Sequence, residues 1–562
     1  SPPDEHLIDP HRVADYAEHL VLPWRREDGV LVFATADPGA ETEAYMQGLA
    51  GDAPWDYVIT SRFDILWTVQ RHADDYLSQA AVTRLAERQP QHSARTVFTG
   101  AQLLGIHLLL TLGLAALALW PREALVGLNL AVALFLLVNF GLRLLFVWVG
   151  GDERVDVKVR DAEVAALDEA SLPTYTVLVP MYREPEVLPH ITRALRALDY
   201  PLSRLDIKLI LEEDDEATIR RAKELGLEGI FEIVRVPRSH PRTKPKACNY
   251  ALNFARGEFV TIYDAEDRPE PDQLKKAVLA FRKAPRNTAV IQARLNYFNA
   301  TENWLTRMFT LEYSLWFDFY LPALEALGIP IPLGGTSNHF RMHVLREVDA
   351  WDPYNVTEDA DLGVRFTQLG YRVGVVNSTT YEEANKRLGN WIRQRSRWIK
   401  GYMQTYLVHM RRPLHLYRTL GHVGFWGFQF FIGGAVLSNL IAPWLFAVYG
   451  LWLATGTHLL DPVFPPLVLY ISLFNLLLGN GLYVYLSMLS VFKRHLYRLI
   501  PYALTMPAYW LLMSIAAYKA LWQLIHDPFY WEKTEHGLTS FDGDAGVREE
   551  PPGAESCSAQ RA

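Results

Sequence analysis

Two stretches concentrate the residue types that do chemistry: Thr357-Glu358-Asp359-Ala360-Asp361 and Gln394-Arg395-Ser396-Arg397-Trp398. The first sets three carboxylates ahead of a helix-like segment carrying Leu362, Val364 and Phe366. Asp359 is the best general-base candidate, with Glu358 and Asp361 as neighbours that tune it or cap the helix. A carboxylate placed to take the proton of an attacking hydroxyl contributes about 10²- to 10⁴-fold in rate. The second stretch joins cations suited to a phosphate with an aromatic plane suited to a ring. An amphipathic interfacial helix, with Trp at the headgroups and Arg snorkelling, would use the same residues and would add Trp391 and Arg393. That plainer reading does not predict the acidic motifs upstream.

Those motifs stand at the ends of apolar segments. Asp264-Ala265-Glu266-Asp267 follows Phe259-Val260-Thr261-Ile262-Tyr263 and offers hard oxygen ligands for Mg²⁺ or Mn²⁺, which also draw ligands from water and substrate phosphates. A solvated acidic turn is the alternative. Lys244-Pro245-Lys246 precedes that strand beside a helix start, where lysines suit a diphosphate or a solvated basic loop. Asp214 and Asp215 end Ile207–Leu211; they can accept hydrogen bonds from a base or ribose, or cap the helix starting near Ala217. Pro332-Leu333-Gly334-Gly335-Thr336-Ser337-Asn338 is glycine-rich enough for close approach of a ligand, or is a tight turn.

These residues need an α/β scaffold. Strands at 176–180, 207–211, 233–236 and 259–263 alternate with helices at 187–198, 217–225 and 250–254, which predicts a parallel sheet with its ligand outside the C-terminal strand ends. Residues 1–95 read as a separate small α/β domain: a helix at 13–20, strands at 30–33 and 57–59, and an amphipathic helix from Asp64 to Tyr76.

Apolar runs frame the central domain. Ala101–Trp120 and Ala124–Val149 each reach the roughly 20 residues that span a bilayer, and they form a hairpin over 99–150. Arg95 before it and Arg154, Lys158 and Arg160 after it place both ends in the cytoplasm. Further runs lie at 425–452, 464–489 and 500–525, with Lys493, Arg494, His495 and Arg498 marking a cytoplasmic loop. The resulting plan is a 173–411 α/β domain, two spanning helices over 420–490, a further helix over 498–527, a loop at 528–540 and a disordered 541–562 tail. The net charge of -8 gives no general case for nucleic acid. Two cysteines in unlike contexts, Cys248 and Cys557, argue against a disulfide framework. Ser1-Pro2-Pro3-Asp4-Glu5 has neither the basic segment nor the apolar run of a cleavable signal peptide.

The ordered set Val179-Pro180…Glu184, Asp214-Asp215, Lys246-Ala247…Asn249, Asp264-x-Glu266, Thr357-Glu358-Asp359 and Gln394-Arg395-x-Arg397-Trp398 resembles the processive family 2 glycosyltransferases, the cellulose and hyaluronan synthase group. The resemblance covers roughly residues 100–540. It implies a GT-A, Rossmann-like domain between transmembrane helices in the inner (plasma) membrane, with the catalytic domain cytoplasmic. It implies an inverting transfer from a UDP-sugar to a growing polysaccharide, such as a β-glucan, threaded outward between the helices. Pro180, Glu184, Asp214, Asp215, Lys246, Asp264 and Arg397 are the implied donor site. Asp264 with Glu266 or Asp267 is the implied Mg²⁺ or Mn²⁺ site; the family's Asp-x-Asp is here Asp-x-Glu-Asp. Asp359, with Glu358 beside it, is the implied base. Gln394, Arg395, Trp398, Gly335 and Thr336 are the implied acceptor site. Trp531-Glu532-Lys533-Thr534-Glu535-His536-Gly537 resembles the family's gating loop, with Trp531, Thr534 and His536 in that role. This resemblance implies that the 498–527 helix is interfacial. A secreted polymer implies periplasmic or outer-membrane export partners. Residues 11–65 resemble the N-terminal domain of type II secretion ATPases, a family in which such domains mediate protein contacts or bind a regulatory nucleotide. Two other readings stay open: a nonprocessive transferase acting on a lipid acceptor, and a receptor or scaffold on a degenerate transferase domain.

Overall fold

The computed structural model describes residues 3–152, 155, 158–227, 230–456, 458–534 and 537. The expected tail and His536 lie outside them, as does Arg154.

The N-terminal sheet has the order β1(Val21–Glu27)-β2(Val30–Thr35)-β3(Trp55–Ile59), antiparallel then parallel. The first strand was not expected: its apolar run is short and holds Pro23. The Arg62–Arg88 helix extends well beyond the amphipathic segment legible in the sequence, and Ser61 caps it by accepting from the Asp64 amide. It packs on the second domain. Arg62 pairs with Asp206 and Glu232 at 2.7 and 2.8 Å, and the Asn249 amide donates to the Ala81 carbonyl.

That second domain is built on eight strands in the order β6-β5-β4-β7-β10-β9-β11-β8. β4(Tyr175–Met181), β5(Leu205–Glu212), β6(Phe231–Val236) and β7(Phe259–Ile262) run parallel, as alternating strands and helices require. Val177, Leu178 and Val179 of β4 are all buried, the mark of a strand covered on both faces. The sheet as a whole is mixed, which corrects the expectation of a parallel one. β10(Asn338–Arg341) is antiparallel to both β7 and β9(Thr288–Tyr297), and β11(Arg372–Glu382) is antiparallel to β8(Arg268–Pro269). β10 is only four residues long and follows the glycine-rich loop, so its sequence carries little strand signal.

Five helical segments among the described residues are long and apolar enough to cross a membrane: Gly100–Leu119, Pro121–Gly150, Pro413–Thr455, Pro466–Arg494 and Tyr497–His526. Thr99 and Gln102 close a capping box at the first, and Pro121 starts the second, where a missing N–H costs nothing. Leu388–His409, which carries the Arg/Trp motif, packs along Met506–His526.

Candidate active site

The C-terminal ends of β4, β5 and β7 open into a cavity of about 1050 Å³ that reaches the membrane-side helices. Its wall takes Pro180 at the end of β4 and Glu184 after it, Asp264 and Glu266 after β7, and Glu358 and Asp359 from the first turn of the Glu358–Gln368 helix. Gln394, Arg395, Arg397 and Trp398 close the opposite side, with Gly335, Trp531 and Thr534.

Asp359 is buried, and its Oδ1 accepts from the indole N–H of Trp351 at 2.8 Å. Burial, and then the charge of Glu358, raise its pKa well above the usual carboxylate range. A base held this way is a stronger proton acceptor than an exposed aspartate. Glu358 is raised as well, again chiefly by burial.

Of the two candidate lysines, Lys244 reaches the cavity. It meets Asp264 at 2.5 Å and donates to the Gly335 carbonyl at 2.6 Å. Burial alone would lower its pKa; the charges of Asp264, Asp359 and Glu358 outweigh burial and raise it. Lys246, the lysine expected to face the diphosphate, lies behind the wall. It is fully buried and pairs with Glu212 at 2.9 Å, because two residues on a helix turn about 200°.

The paired aspartates after β5 also divide. Asp215 caps the Glu216–Glu224 helix and accepts from the Arg183 amide, so it organises backbone behind the cavity. Asp214 binds Arg242 at 3.0 Å, and Arg242 donates to the Tyr182 hydroxyl at 2.7 Å. Tyr182 and Arg242 line the cavity, whereas Asp214 acts through them. Both were missed in the sequence; an aromatic and a cation flanking acidic strand ends were the available signal.

At the expected metal site, Asp264 and Glu266 face the cavity. Asp267 does not: its carboxylate accepts from the Asp264 amide at 2.7 Å and from the Thr336 hydroxyl, fixing the turn. Thr336 is thereby spent on the same turn and is not in the cavity wall. No cluster of three metal-ligating side chains occurs among the described residues. The donor set nevertheless fits a hard divalent cation that takes one or two carboxylates and completes its shell with substrate oxygens. Glu382, also in the wall, is driven well above its usual pKa by burial and then by Asp267, Glu266 and Asp264. That surplus of negative charge is what a cation would neutralise.

On the acceptor side, Trp398 is flanked by Tyr313 with ring centroids 6.2 Å apart and an angle of 29°. Arg395 lines the cavity with both terminal nitrogens engaged. It binds Glu312 bidentately at 2.9 and 2.5 Å and stacks over Phe309 and Trp398. Its role in this geometry is to hold the Trp398 ring in place. The Gln394 side-chain oxygen accepts from Asn385 at 2.8 Å.

The 528–534 segment lies over the cavity. Trp531 stacks on Arg397 at 4.5 Å, the Lys533 ammonium donates to the Tyr182 carbonyl at 2.6 Å, and Lys400 donates to the Tyr530 carbonyl at 2.8 Å. Thr534 is buried, and its hydroxyl has no hydrogen-bond partner among the described residues.

Comparison with known proteins agrees with this geometry. Residues 259–522 match the model of glycosyl transferase family group 2, and residues 1–79 match the MshEN domain. The probable glycosyltransferase YdaM of Bacillus subtilis is 26% identical over 279 residues, 48% of this chain and 66% of that protein. The probable glucomannan 4-beta-mannosyltransferase 6 of Oryza sativa is 28% identical over 314 residues, 52% of each chain. The beta-monoglucosyldiacylglycerol synthase of Trichormus variabilis is 26% identical over 246 residues, 42% of this chain and 51% of that protein. The matched region thus spans about half to two thirds of the length of these relatives. The MshEN match agrees with the resemblance to secretion-ATPase N-terminal domains. Residues 259–522 are thus similar to glycosyl transferase family group 2, and residues 1–79 to the MshEN domain.

Proposed function

We propose that the protein transfers a sugar from a UDP-sugar to a growing polysaccharide, with inversion at the anomeric carbon, and passes the product outward between its helices. The observation that carries this reading is that two cavities abut. A second cavity of about 250 Å³ lies among the membrane-side helices and shares Glu312, Trp316, Ala435, Asn439 and Met513 with the first. Asn139, Asn475 and Tyr320 line it, side chains that hydrogen-bond sugar hydroxyls. Polar groups at membrane depth are costly unless they serve a path or a site.

In the proposed reaction, an acceptor hydroxyl resting on Trp398 attacks the anomeric carbon from the face opposite the diphosphate. Its proton passes to the carboxylate of Asp359. The bond between the anomeric carbon and the diphosphate oxygen breaks, and the electron pair leaves with UDP. Lys244 and Arg397 stabilise the departing charge, and Tyr182 with Arg242 borders the nucleotide. Asp264 and Glu266 would hold Mg²⁺ or Mn²⁺, which when bound supplies charge neutralisation at the diphosphate. Thr534 and Trp531 belong to a closing segment over the donor.

We assign four spanning helices, with the 497–526 segment along the inner surface. The chain on each side of it touches the catalytic domain: Arg494 pairs with Asp318 at 2.6 Å, and Lys533 reaches Tyr182. The expected localisation is therefore the inner membrane with the catalytic domain cytoplasmic.

Lipid-reconstituted protein incubated with Mg²⁺ or Mn²⁺ and a panel of UDP-sugars tests the reading, with UDP release and product length measured and Asp359→Asn as control. One donor should give UDP and a long product, and the variant should give neither. A single-sugar product would favour the lipid-acceptor reading, to which the similarity to a monoglucosyldiacylglycerol synthase points. No release from any donor overturns the assignment.

A further inference from the structure

Trp351 is fully buried and donates to one oxygen of Asp359, leaving the other without a hydrogen bond among the described residues. The residues just before it, Asp349 and Ala350, both take left-handed backbone, with φ of 58° and 51°, although neither is glycine. Such backbone persists only where its surroundings over-determine it. Here the catalytic domain supplies part of that hold, through Arg365 on the Val348 and Ala350 carbonyls and the backbone bonds of Asp349 to Arg346 and Ala350 to Leu345, and the N-terminal domain supplies the rest. Arg88 pairs with Asp349 at 2.7 Å, and Gln89 donates to the same carboxylate at 3.1 Å. On the other flank Asp352 accepts from the Ser93 hydroxyl at 3.1 Å and the Ala94 amide at 2.5 Å. Asn249 joins the two: its amide donates both to the Ala81 carbonyl and to the Trp351 carbonyl, and its oxygen accepts from the Trp351 amide. The N-terminal domain thus grips Asp349 and Asp352, one on each side of the one residue that donates to Asp359 among the described residues.

We propose that Trp351 is a positioning residue for Asp359, and that the N-terminal domain controls transfer by holding the 349–352 turn that aims it. The proposal rests on the reading of Asp359 as the base. It assigns the 88–94 exit of the N-terminal domain a role beyond docking: any partner or ligand that moves this segment changes the turnover of a site it never touches.

The test uses the full-length protein in lipid and four variants: Arg88→Gln with Ser93→Ala, Trp351→Phe, their combination, and Asp359→Asn. Hydrogen exchange of residues 349–361 is read beside kcat and KM for the donor. Loosening the grip should raise exchange across 349–361 by about tenfold or more, as expected for a locally opened segment. Trp351→Phe keeps the ring and removes the donor; it should lower kcat about tenfold at unchanged KM, the size of a lost hydrogen bond to a charged group. If the two act through one contact, the combined variant turns over no more slowly than Trp351→Phe. Unchanged exchange in the Arg88/Ser93 variant, wild-type kcat in Trp351→Phe, or multiplying effects overturns the proposal. Asp359→Asn with wild-type turnover removes the base itself and the proposal with it. An inactive Asp359→Asn beside a fully active Trp351→Phe sinks the positioning role alone.

Discussion

Lys244 and Lys246 are two residues apart, equally basic and equally near a helix start, yet the fold gives them opposite tasks. Lys244 should be a cavity residue: Lys244→Ala should raise the donor KM or lower kcat while leaving unfolding unchanged. Lys246→Ala instead strands Glu212, which is 6% exposed, and should cost about 3 kcal/mol of stability by denaturant unfolding. The reverse pattern would show that the lysines have been assigned to the wrong sides of the wall. His339 gives a pH prediction at the same scale. It is fully buried, its Nδ1 meets the Tyr175 hydroxyl at 2.7 Å, and burial lowers its pKa to about 3. The unfolded chain binds a proton near pH 6.5 and the folded one does not, so stability is lost as pH falls from 6.5 toward 3. The loss should reach roughly 2 kcal/mol by pH 5. His339→Gln should flatten that slope in thermal unfolding at pH 7 and pH 5; an identical slope would show that the ring does not titrate this way. None of this was legible from residue types, which name a lysine or a histidine but not its neighbours.

The helices that carry the chemistry approach one another closely at glycine. A Cβ on Gly401 would stand 2.6 Å from the Cβ of Thr357, so turning the Thr357 side chain cannot relieve the clash. Gly401 lies in the Leu388–His409 helix, three residues beyond Trp398, and Thr357 directly precedes Glu358. The Arg/Trp helix and the base helix are therefore in register only because one position lacks a side chain. Gly401→Ala should push them apart and lower kcat at least about tenfold in an otherwise folded protein, since a 1 Å misplacement far from the chemistry can cost about 100-fold. A fully active variant would show that the two helices slide without consequence. The sequence displayed both motifs and the helical and strand segments between them, because hydrophobic periodicity survives in any context. It could not display β10, whose four residues pair antiparallel with strands far away in the chain, nor the contact at Gly401, which joins segments by packing alone.

At the scale of the molecule, the question is how the cavity of the α/β domain communicates with the long apolar helices. Asn439 lines both cavities, on the proposed route between them. Asn439→Trp should narrow that passage and shorten the product while leaving the first transfer, read as UDP release to a short soluble acceptor, near the wild-type rate. Product of unchanged length would place the exit elsewhere. The molecule also shows how the N-terminal domain is joined to the catalytic one. It docks at Arg62, Arg88 and Asn249, through ion pairs and hydrogen bonds that no composition statistic contains.

What the sequence determined by itself was the inventory: an α/β domain with carboxylates at its strand ends, an Arg/Trp helix, apolar segments of membrane length, and a small domain in front. These are local quantities, set by periodicity, length and the order of motifs, and they survive without knowledge of any contact. Only the tertiary structure decided which of the paired residues face the cavity: Lys244 rather than Lys246, Glu266 rather than Asp267, with Asp215 withdrawn as a cap and Arg395 as a brace for Trp398. It also supplied Trp351 as the partner of Asp359. Side-chain direction depends on how each helix is rotated in its packing, and that rotation is fixed by neighbours distant in the chain, not by the residues on either side.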